Sequence, residues 1–223
     1  MISIIMPVLN EAITLPGTLE KVFSQSGEFE VIVADGGSTD NTRAIVQAYP
    51  GIKLLSATTG RASQMNAGAK QAKAEWLLFL HADTLLPKDA VLAISRLPDS
   101  IQTGGFQHCF SGKSRGLGLI SWLHNFRCRR TRVFYGDQAM FIRKTLFFEM
   151  GGFPEGVLME DLIFGERLVK VTSPLILEQF VITDSRKFEQ HGIWLSLWRV
   201  ILILLSHELH LPIPVKKFFA NVR

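Results

Sequence analysis

The first part of the chain alternates between short apolar runs and stretches that carry apolar residues at helical spacing. The apolar runs cover residues 2–6, 30–34, 52–55 and 76–80. The helical stretches are marked by Leu15, Leu19, Val22 and Phe23, then by Ala44, Ile45 and Ala48, then by residues 62–73. Short apolar runs predict buried strands, and amphipathic stretches predict the helices that cover them. The alternation therefore predicts an α/β fold with a mostly parallel central sheet flanked by helices.

The pattern changes after about residue 98. Residues 104–110 and 138–142 predict two more strands, and a longer, arginine-rich helical segment separates them. Residues 161–169 carry apolar side chains at helical spacing and predict a further helix. No linker rich in proline, glycine and serine divides these parts, so residues 1–190 are expected to form one domain.

The C-terminal segment, residues 191–223, is apolar and basic and is expected to form a helical appendage. Its apolar run, residues 193–205, is shorter than the about 20 residues that span a bilayer. One interpretation is a helix packed on the domain. The alternative is a helix that lies at a membrane surface, which is supported by Trp194, Trp198, Arg199, Lys216, Lys217, Phe218 and Phe219.

Composition narrows the classes of partner. The net charge is +4 and the isoelectric point is about 9.2, which suits phosphate-bearing substrates or an anionic membrane surface. The basic residues form no nucleic-acid motif, so no nucleic-acid partner is expected. Cys109 and Cys128 form no CxxC pair and are expected to be reduced, mostly buried thiols. The apolar start is too short for a signal peptide, so we expect a cytoplasmic protein, with contact at the inner membrane face left open.

Polar residues follow three of the predicted strands at the point where each strand ends. Glu11 comes shortly after the first, Asp35 and Gly36 follow the second, and Asp83 follows the fourth. Carboxyl ends of parallel strands form the ligand edge of an open α/β sheet. There, Asp35 can accept from a base N–H, and Glu11 can accept from a ribose hydroxyl. Asp83 is a candidate ligand for a divalent cation that also binds a diphosphate.

Several short motifs occur in one order along the chain. They are PVLNE at 7–11, ADGGSTDNT at 34–42, GRASQMNAGA at 60–69, LFLHADT at 78–84, YGDQ at 135–138, GGF at 151–153 and MED at 159–161. Together they resemble family 2 glycosyltransferases with the GT-A fold, over roughly residues 2–190. The HAD version of the metal motif resembles a small bacterial subgroup of that family. The resemblance implies a Rossmann-like sheet, with residues 1–98 as the nucleotide-binding half and 99–190 as the acceptor half.

The resemblance also implies roles for individual residues. The nucleotide-binding positions it implies are Pro7, Glu11, Asp35, Gly36, Arg61, Asn66, His81 and Ala82. Asp83 would hold Mn²⁺ or Mg²⁺ on the diphosphate, and His191 would complete the metal shell. Asp161, beside Glu160, would be the catalytic base that deprotonates the acceptor. The acceptor side would comprise Tyr135, Gly136, Asp137, Gln138 and Arg186, the last in a basic segment with Lys187 that is also expected to reach the diphosphate.

One position departs from the family pattern, because His81 stands where the first aspartate of the DxD motif is common. A neutral imidazole can still bind a ribose hydroxyl, and it suits Mn²⁺ better than Mg²⁺. Four arginines before Tyr135 leave two interpretations open, a solvated helix face or recognition of an anionic, lipid-linked acceptor. They are Arg127, Arg129, Arg130 and Arg132.

The resemblance thus leads us to expect an inverting, metal-dependent hexosyltransferase. It would move a sugar from a nucleotide-diphosphate sugar to a hydroxyl or phosphate acceptor. Two alternatives stay open at this point. One is a nucleotidyltransferase or nucleotide-sugar hydrolase, and the other is a non-catalytic sugar-nucleotide binding protein, for which His81 is the support.

Overall fold

The computed structural model describes residues 1–190 and 192–208, which form one mixed sheet with helices on both faces. The strands are β1 (Ile2–Val8), β2 (Phe29–Asp35), β3 (Ile52–Ser56), β4 (Trp76–Phe79), β5 (Thr84–Leu85), β6 (Thr103–Phe110), β7 (Phe141–Arg143) and β8 (Leu175–Thr183). The helices are α1 (Leu15–Phe23), α2 (Thr42–Gln47), α3 (Arg61–Gln71), α4 (Ala90–Ser95), α5 (Arg115–Thr131), α6 (Lys144–Glu149), α7 (Glu160–Leu168), α8 (Arg186–Gln190) and α9 (Ile193–Glu208). A 3₁₀ turn covers Gly136–Gln138.

The N-terminal half of the sheet confirms the predicted parallel arrangement. Strands β3, β2, β1 and β4 lie side by side in that order, and every pairing among them is parallel. All residues of β1 and β4 are buried, as their continuous apolar runs predict. The carboxyl ends of β1, β2 and β4 consequently meet at one edge.

The second half of the sheet is mixed. Strand β7 pairs antiparallel with both β4 and β6, while β8 pairs parallel with β6 and antiparallel with β5. The predicted strand at 138–142 is wrong in its bounds, because residues 136–138 form the 3₁₀ turn and the strand begins at Phe141. The sheet order ends on β5, which follows β4 closely in the chain, so the sheet curls back on itself.

Two hydrophobic clusters pack on opposite faces of the sheet. Alternate residues of β1 divide between them, with Ile4 in the cluster that includes Leu19 of α1 and Ile5 in the cluster that includes Met65 of α3. Helix α3 lies very close to β1, because a Cβ added at Gly68 would come within 2.5 Å of Ile5 Cγ2. This packing holds α3 closely against β1.

A short strand pair anchors the segment that contains Asp83. The N–H of Asp184 donates to the carbonyl of Asp83 at 2.9 Å, and the hydroxyls of Thr84 and Thr183 lie 3.2 Å apart. Strand β5 thereby fastens the end of the β4 loop to the end of β8. Because Lys187 follows Asp184 by three residues, the same pairing brings its ammonium group to the ligand edge.

Helix α9 is partly packed on the domain and partly exposed. Ile193 and Leu197 contact the small cluster of Phe110, Leu117 and Ile120. On the exposed side, the Trp194 and Trp198 side chains are 62% and 64% accessible. Within 1–190 and 192–208, we find no helix with the length and apolar character needed to cross a membrane. The basic tail expected at 216–219 lies outside the described residues.

Candidate active site

An open cleft lies at the ligand edge, between the end of β1 and the start of α3. Its cavity volume is about 70 Å³. Its lining residues are Pro7, Val8, Leu9, Glu11, Thr59, Gly60, Arg61, Gln64 and Lys187. The structure therefore brings together three of the residues expected to bind a nucleotide, Pro7, Glu11 and Arg61. Lys187, from the basic segment, joins them from the far end of the chain.

Gln64 is a cleft residue that the sequence analysis missed. Its side-chain Nε2 donates to the carbonyls of Val8 and Ala34, both at 2.8 Å, so it fastens α3 to β1 and β2. Gly36 packs directly against this amide, since a Cβ there would lie 3.0 Å from Gln64 Cδ. A polar residue in a predicted helix is typical of a solvent-facing position, so this bridge could not be predicted from the sequence.

Asp35 lies at the end of β2 with its side chain only 1% exposed. Its carboxylate accepts from the guanidinium of Arg43 at 2.7 Å and from the N–H of Ser38 at 3.0 Å. Burial pushes the pKa of Asp35 up, but the hydrogen bonds from Ser38 and Arg43 outweigh it and hold the pKa below its usual value. Asp35 is therefore ionised and fixed in place. Arg43, which pairs with Asp35, is a second residue of this region that the sequence analysis did not identify.

Asn66 is held by a different part of the chain. Its Oδ1 accepts from the N–H of Phe153 at 3.0 Å, and its Nδ2 donates to the Phe153 carbonyl and to Glu155, both at 2.9 Å. These bonds tie α3 to the loop after α6. The structure does not bring Asn66 into the group that lines the cleft, and its nucleotide role stays a prediction.

The end of β4 places Asp83 beside two charged residues of the cleft. The Lys187 Nζ lies 3.9 Å from Asp83 Oδ2 and 3.6 Å from Glu11 Oε1. Burial raises the pKa of Asp83, and the Lys187 ammonium opposes that rise. Ala82 is buried, and its carbonyl accepts from the Thr18 hydroxyl at 2.7 Å. The carboxylates of Asp83 and Glu11 therefore both lie near the ammonium group of Lys187.

Asp83 and Glu11 are the oxygen donors that a divalent cation would use at this edge of the sheet. Mg²⁺ and Mn²⁺ prefer oxygen ligands and are commonly held by one or two carboxylates together with substrate phosphates. Asp83 and Glu11 supply carboxylates on either side of Lys187, and Arg61 and Lys187 supply positive charge for a diphosphate. His191, expected to complete the metal shell, lies outside the described residues, so its role stays a prediction.

His81 connects the donor side of the site to Asp161. Burial lowers the pKa of His81 to about 3, so its imidazole is neutral at physiological pH. A Cβ added at Gly136 would lie 2.5 Å from His81 Cε1 and Nε2, so only a glycine fits against the ring. The N–H of Gly136 donates to Asp161 Oδ2 at 2.6 Å. The 3₁₀ turn thus bridges the end of β4 and the start of α7.

Asp161 sits in the first turn of α7. Met159, with a left-handed φ of 60°, turns the chain into the helix, and Glu160 beside it is only 5% exposed. Asp161 Oδ1 accepts from the Leu162 N–H at 2.8 Å. Burial raises the pKa of Asp161, while the Gly136 N–H opposes that rise. Burial thus favours the protonated form of Asp161, whereas the backbone N–H groups of the helix N-terminus favour the ionised form. These opposing effects suit a side chain that gains and loses a proton.

The turn itself is supported from below by Gln138. This fully buried side chain accepts from the Tyr135 N–H at 3.1 Å and donates to the Phe106 carbonyl at 3.1 Å. The Arg127 guanidinium lies over the Tyr135 ring, 3.7 Å from its centroid. Burial raises the pKa of Tyr135 to about 12. Gln138 therefore holds the turn, and its acceptor-binding role stays a prediction.

The basic residues expected near an acceptor are mostly engaged with the protein. Arg129 donates to Gln107 at 2.5 Å, and Arg132 donates to the Pro174 carbonyl at 3.4 Å. Arg186 donates to Asp184 at 2.9 Å but keeps its side chain 43% exposed. The acceptor-binding role expected for Arg186 stays a prediction.

Comparison with known proteins relates this geometry to a family. A sequence profile of glycosyl transferase family 2 matches residues 3–154. Among curated proteins, the chain is 40% identical over 100 residues to a PGL/p-HBAD biosynthesis glycosyltransferase of Mycobacterium bovis (strain BCG / Pasteur 1173P2). That match covers 42% of this chain and 39% of the relative, so the chain spans well under two thirds of it.

Two solved structures share the fold. S. aureus TarS, residues 1–349, aligns with a TM-score of 0.68 at 21% identity, covering 92% of this chain and 65% of that one. The mannosyltransferase PcManGT from Pyrobaculum calidifontis, in complex with GDP-Man and Mn²⁺, aligns with a TM-score of 0.63 at 21% identity. That alignment covers 81% of this chain and 56% of PcManGT. TarS has also been solved with UDP-GlcNAc. The likeness confirms the GT-A fold that the motifs predicted.

Proposed function

This chain belongs to glycosyl transferase family 2, and we propose that it transfers a sugar from a nucleoside-diphosphate sugar to an acceptor hydroxyl, with inversion at the anomeric carbon. The structures it resembles include one bound to GDP-Man and Mn²⁺ and one bound to UDP-GlcNAc. These ligands support a nucleotide sugar as the donor.

The observation that carries the proposal is the position of Gly136. Its Cα lies against the His81 ring at the donor side, and its N–H holds Asp161 at 2.6 Å. Gly136 therefore lies between His81, at the strand end expected to face the donor, and Asp161, the carboxylate expected to activate the acceptor. General-base catalysis requires the base to lie within hydrogen-bond reach of the acceptor proton, which this spacing supports.

On the donor side, the cleft residues bind and orient the nucleotide. Glu11 accepts a hydrogen bond from the nucleoside, Asp35 holds Arg43 at the end of β2, and Arg61 and Lys187 bind phosphate oxygens. A divalent cation held by Asp83 would, when bound, neutralise the charge of the leaving diphosphate. His81, as a neutral imidazole, binds a ribose hydroxyl.

On the acceptor side, Asp161 accepts the proton of the attacking hydroxyl. The acceptor oxygen forms a bond to the anomeric carbon from the face opposite the diphosphate. The bond from that carbon to the phosphate oxygen breaks, and the nucleoside diphosphate leaves with the bonding electron pair. Because attack and departure occur on opposite faces, the anomeric configuration inverts. Glu160 is buried beside Asp161, and burial, together with the nearby Asp137 carboxylate, raises the pKa of the base.

We propose that the acceptor is lipid-linked and that the protein binds it at a membrane surface. Helices α5 and α9 expose large apolar side chains, which are Leu119, Trp122, Leu123, Phe126, Trp194, Leu195, Trp198 and Leu202. The two helices contact one another. Trp and nearby arginines are typical of segments that lie in the headgroup region.

A nucleotide-release assay tests the function. The protein is incubated with UDP, GDP, dTDP or CDP sugars and Mn²⁺ or Mg²⁺, with an alkyl glycoside or a polyprenyl phosphate as acceptor. Release of nucleoside diphosphate that requires acceptor, and that Asp161→Asn abolishes, supports the proposal. Release that is equally fast without acceptor indicates a hydrolase. Binding without release under every condition indicates a non-catalytic protein.

A further inference from the structure

A second group of metal-binding side chains lies beside the turn that holds Asp161. His108 of β6, His124 of α5 and Asp137 of the 3₁₀ turn bring one ligand atom each to within 4.8 Å of one another. In the part of the chain that the structure describes, this is the one cluster of three or more His, Cys, Asp or Glu side chains that meets such a geometry. None of the roles proposed above uses either histidine.

The two histidines are brought together by a specific clamp. Asn125 Oδ1 accepts from the His108 N–H at 2.8 Å, and Asn125 Nδ2 donates to the His108 carbonyl at 2.9 Å. This pair of bonds fixes the position of α5 along β6. As a result, the rings of His124 and His108 lie 4.8 Å apart, centroid to centroid.

The nitrogen and oxygen atoms that these three side chains turn toward one another lack hydrogen-bond partners among the described residues. The His108 side chain is fully buried, and Nε2 of His108, Nε2 of His124 and Oδ1 of Asp137 have no such partner among the described residues. Buried polar atoms without partners are costly, so natural proteins rarely leave three of them together. A ligand that binds all three would remove that cost.

Each histidine lies near a different oxygen of the Asp137 carboxylate, at a separation close to that between two ligands of one metal ion. Asp137 Oδ2 lies 3.5 Å from His108 Nε2, and Asp137 Oδ1 lies 3.7 Å from His124 Nε2. These separations are too long for good hydrogen bonds. They are close to the about 3.4 Å that separates ligands in a tetrahedral zinc site with bonds of about 2.1 Å.

We infer that His108, His124 and Asp137 bind a divalent transition-metal cation, best matched by Zn²⁺, at a site separate from Asp83. Two imidazoles and one carboxylate suit zinc better than magnesium, whereas Asp83 and Glu11 offer only oxygen. The Asp137 side chain is 27% exposed, which leaves room for a fourth ligand. Because Asp137 follows Gly136 directly, the ion braces the turn that positions Asp161.

Metal binding without nucleotide tests the inference. Protein made without a histidine tag is dialysed against EDTA and then titrated with ZnCl₂ or CoCl₂. We expect one equivalent to bind and Co²⁺ to give the intense visible absorption of four-coordinate cobalt. His124→Gln and Asp137→Asn should each weaken binding by roughly 100-fold or more, since a lost ligand costs at least as much as a lost outer-shell partner. The matched control, Asp83→Asn, should bind Zn²⁺ like the wild type.

Three results would overturn the inference. They are no stoichiometric uptake by the wild type, unchanged uptake by His124→Gln, and loss of uptake in Asp83→Asn. Circular dichroism verifies that each variant is folded, and if His124→Gln is not, the partly exposed Asp137 carries the test. Zn²⁺ should also raise the unfolding midpoint of the wild type but not that of Asp137→Asn. No nucleotide or sugar enters the experiment, so its outcome is independent of the proposed transferase activity.

Discussion

The N–H of Gly136 donates to Oδ2 of Asp161 at 2.6 Å, across 25 residues of sequence. A backbone donor cannot rotate away as a side chain can, so the carboxylate is held in one orientation. The same glycine contacts His81, which makes the position of the proposed base depend on the strand end that faces the donor.

Asp161→Asn is expected to lower the transfer rate by about 10²–10⁴, the usual effect of losing a general base. The substitution keeps the shape of the side chain but removes the proton acceptor. Nucleotide affinity, measured by isothermal titration, should stay within about twofold of wild type because Asp161 does not line the cleft. Glu149→Gln, an exposed carboxylate at the end of α6, is the control. A variant that keeps more than a tenth of wild-type turnover would mean that another residue is the base.

The pH dependence of kcat/KM should reflect the raised pKa of Asp161. Only the ionised carboxylate accepts a proton, so the rate falls as pH drops through that pKa. Since burial moves the pKa above its usual value, the acid limb should lie at higher pH than for an ordinary aspartate. The same shift means that the folded state holds this proton more tightly than the unfolded chain does. Stability from this group is therefore lost as pH rises from the ordinary towards the raised pKa. An acid limb at or below pH 4 would contradict the assignment.

Gly136→Ala is expected to reduce activity at least tenfold, because the added methyl group meets the His81 imidazole at 2.5 Å. The double variant Gly136→Ala with His81→Ala relieves the collision, so the proposed base should regain its position and part of the rate. Gly118→Ala is the matched control. It lies in α5 with nothing within 4 Å of an added Cβ, and it should leave activity unchanged. A fully active Gly136→Ala enzyme would show that this contact does not matter.

Asp83→Asn should abolish the effect of divalent cations on nucleotide binding. Wild-type affinity for UDP or GDP is expected to fall when EDTA replaces Mn²⁺, whereas the affinity of the variant should be low in both. Glu28→Gln serves as the control, because Glu28 is exposed and lies beside Ile2 at the amino-terminal end of β1, away from the cleft at its carboxyl end. Equal wild-type affinity with Mn²⁺ and with EDTA would rule out a cation at this position.

Membrane contact can be measured by flotation with liposomes. The wild type should float with vesicles that contain anionic lipid, more weakly with neutral ones, and less as salt increases. Replacing Trp122 and Trp198 by serine removes two exposed indoles of α5 and α9 and should reduce flotation severalfold. Ile13→Ser removes an apolar side chain that is 80% exposed elsewhere and should not. Absence of flotation at low salt with both kinds of vesicle would contradict membrane contact through α5 and α9.

Much of this fold could be predicted from the sequence because the central strands are continuous apolar runs. The apolar runs at 2–6 and 76–80 are typical of buried strands. In a parallel sheet, the polar residues that follow such strands lie at the same edge. Strand β5 could not be predicted, since two residues carry no periodicity and are a strand only through pairing with β8. Strand β8 was missed because half-buried and exposed positions interrupt its apolar pattern.

The candidate site divides in the same way. Glu11 and Asp83 could be predicted from their places after strands, and Asp161 came from the family resemblance. His108 and His124 could not be predicted as a pair, because one lies on a strand and the other on a helix. Their proximity depends on the amide of Asn125, which bonds to backbone atoms that any sequence would supply. An isolated histidine in a sequence carries no information about which other histidine it will meet.

The pairing of β4 with β7 has a consequence for synthesis on the ribosome. Strand β4 joins β1 on one side, but its other edge is covered only when Phe141 and Ile142 pair with Leu78 and Leu77. At about 5–20 residues per second, the nascent chain needs roughly 3 to 12 s to grow from the end of β4 to β7. During that interval the run Trp76–Phe79 presents an open apolar edge. Chaperone demand during translation should therefore be greatest before β7 emerges.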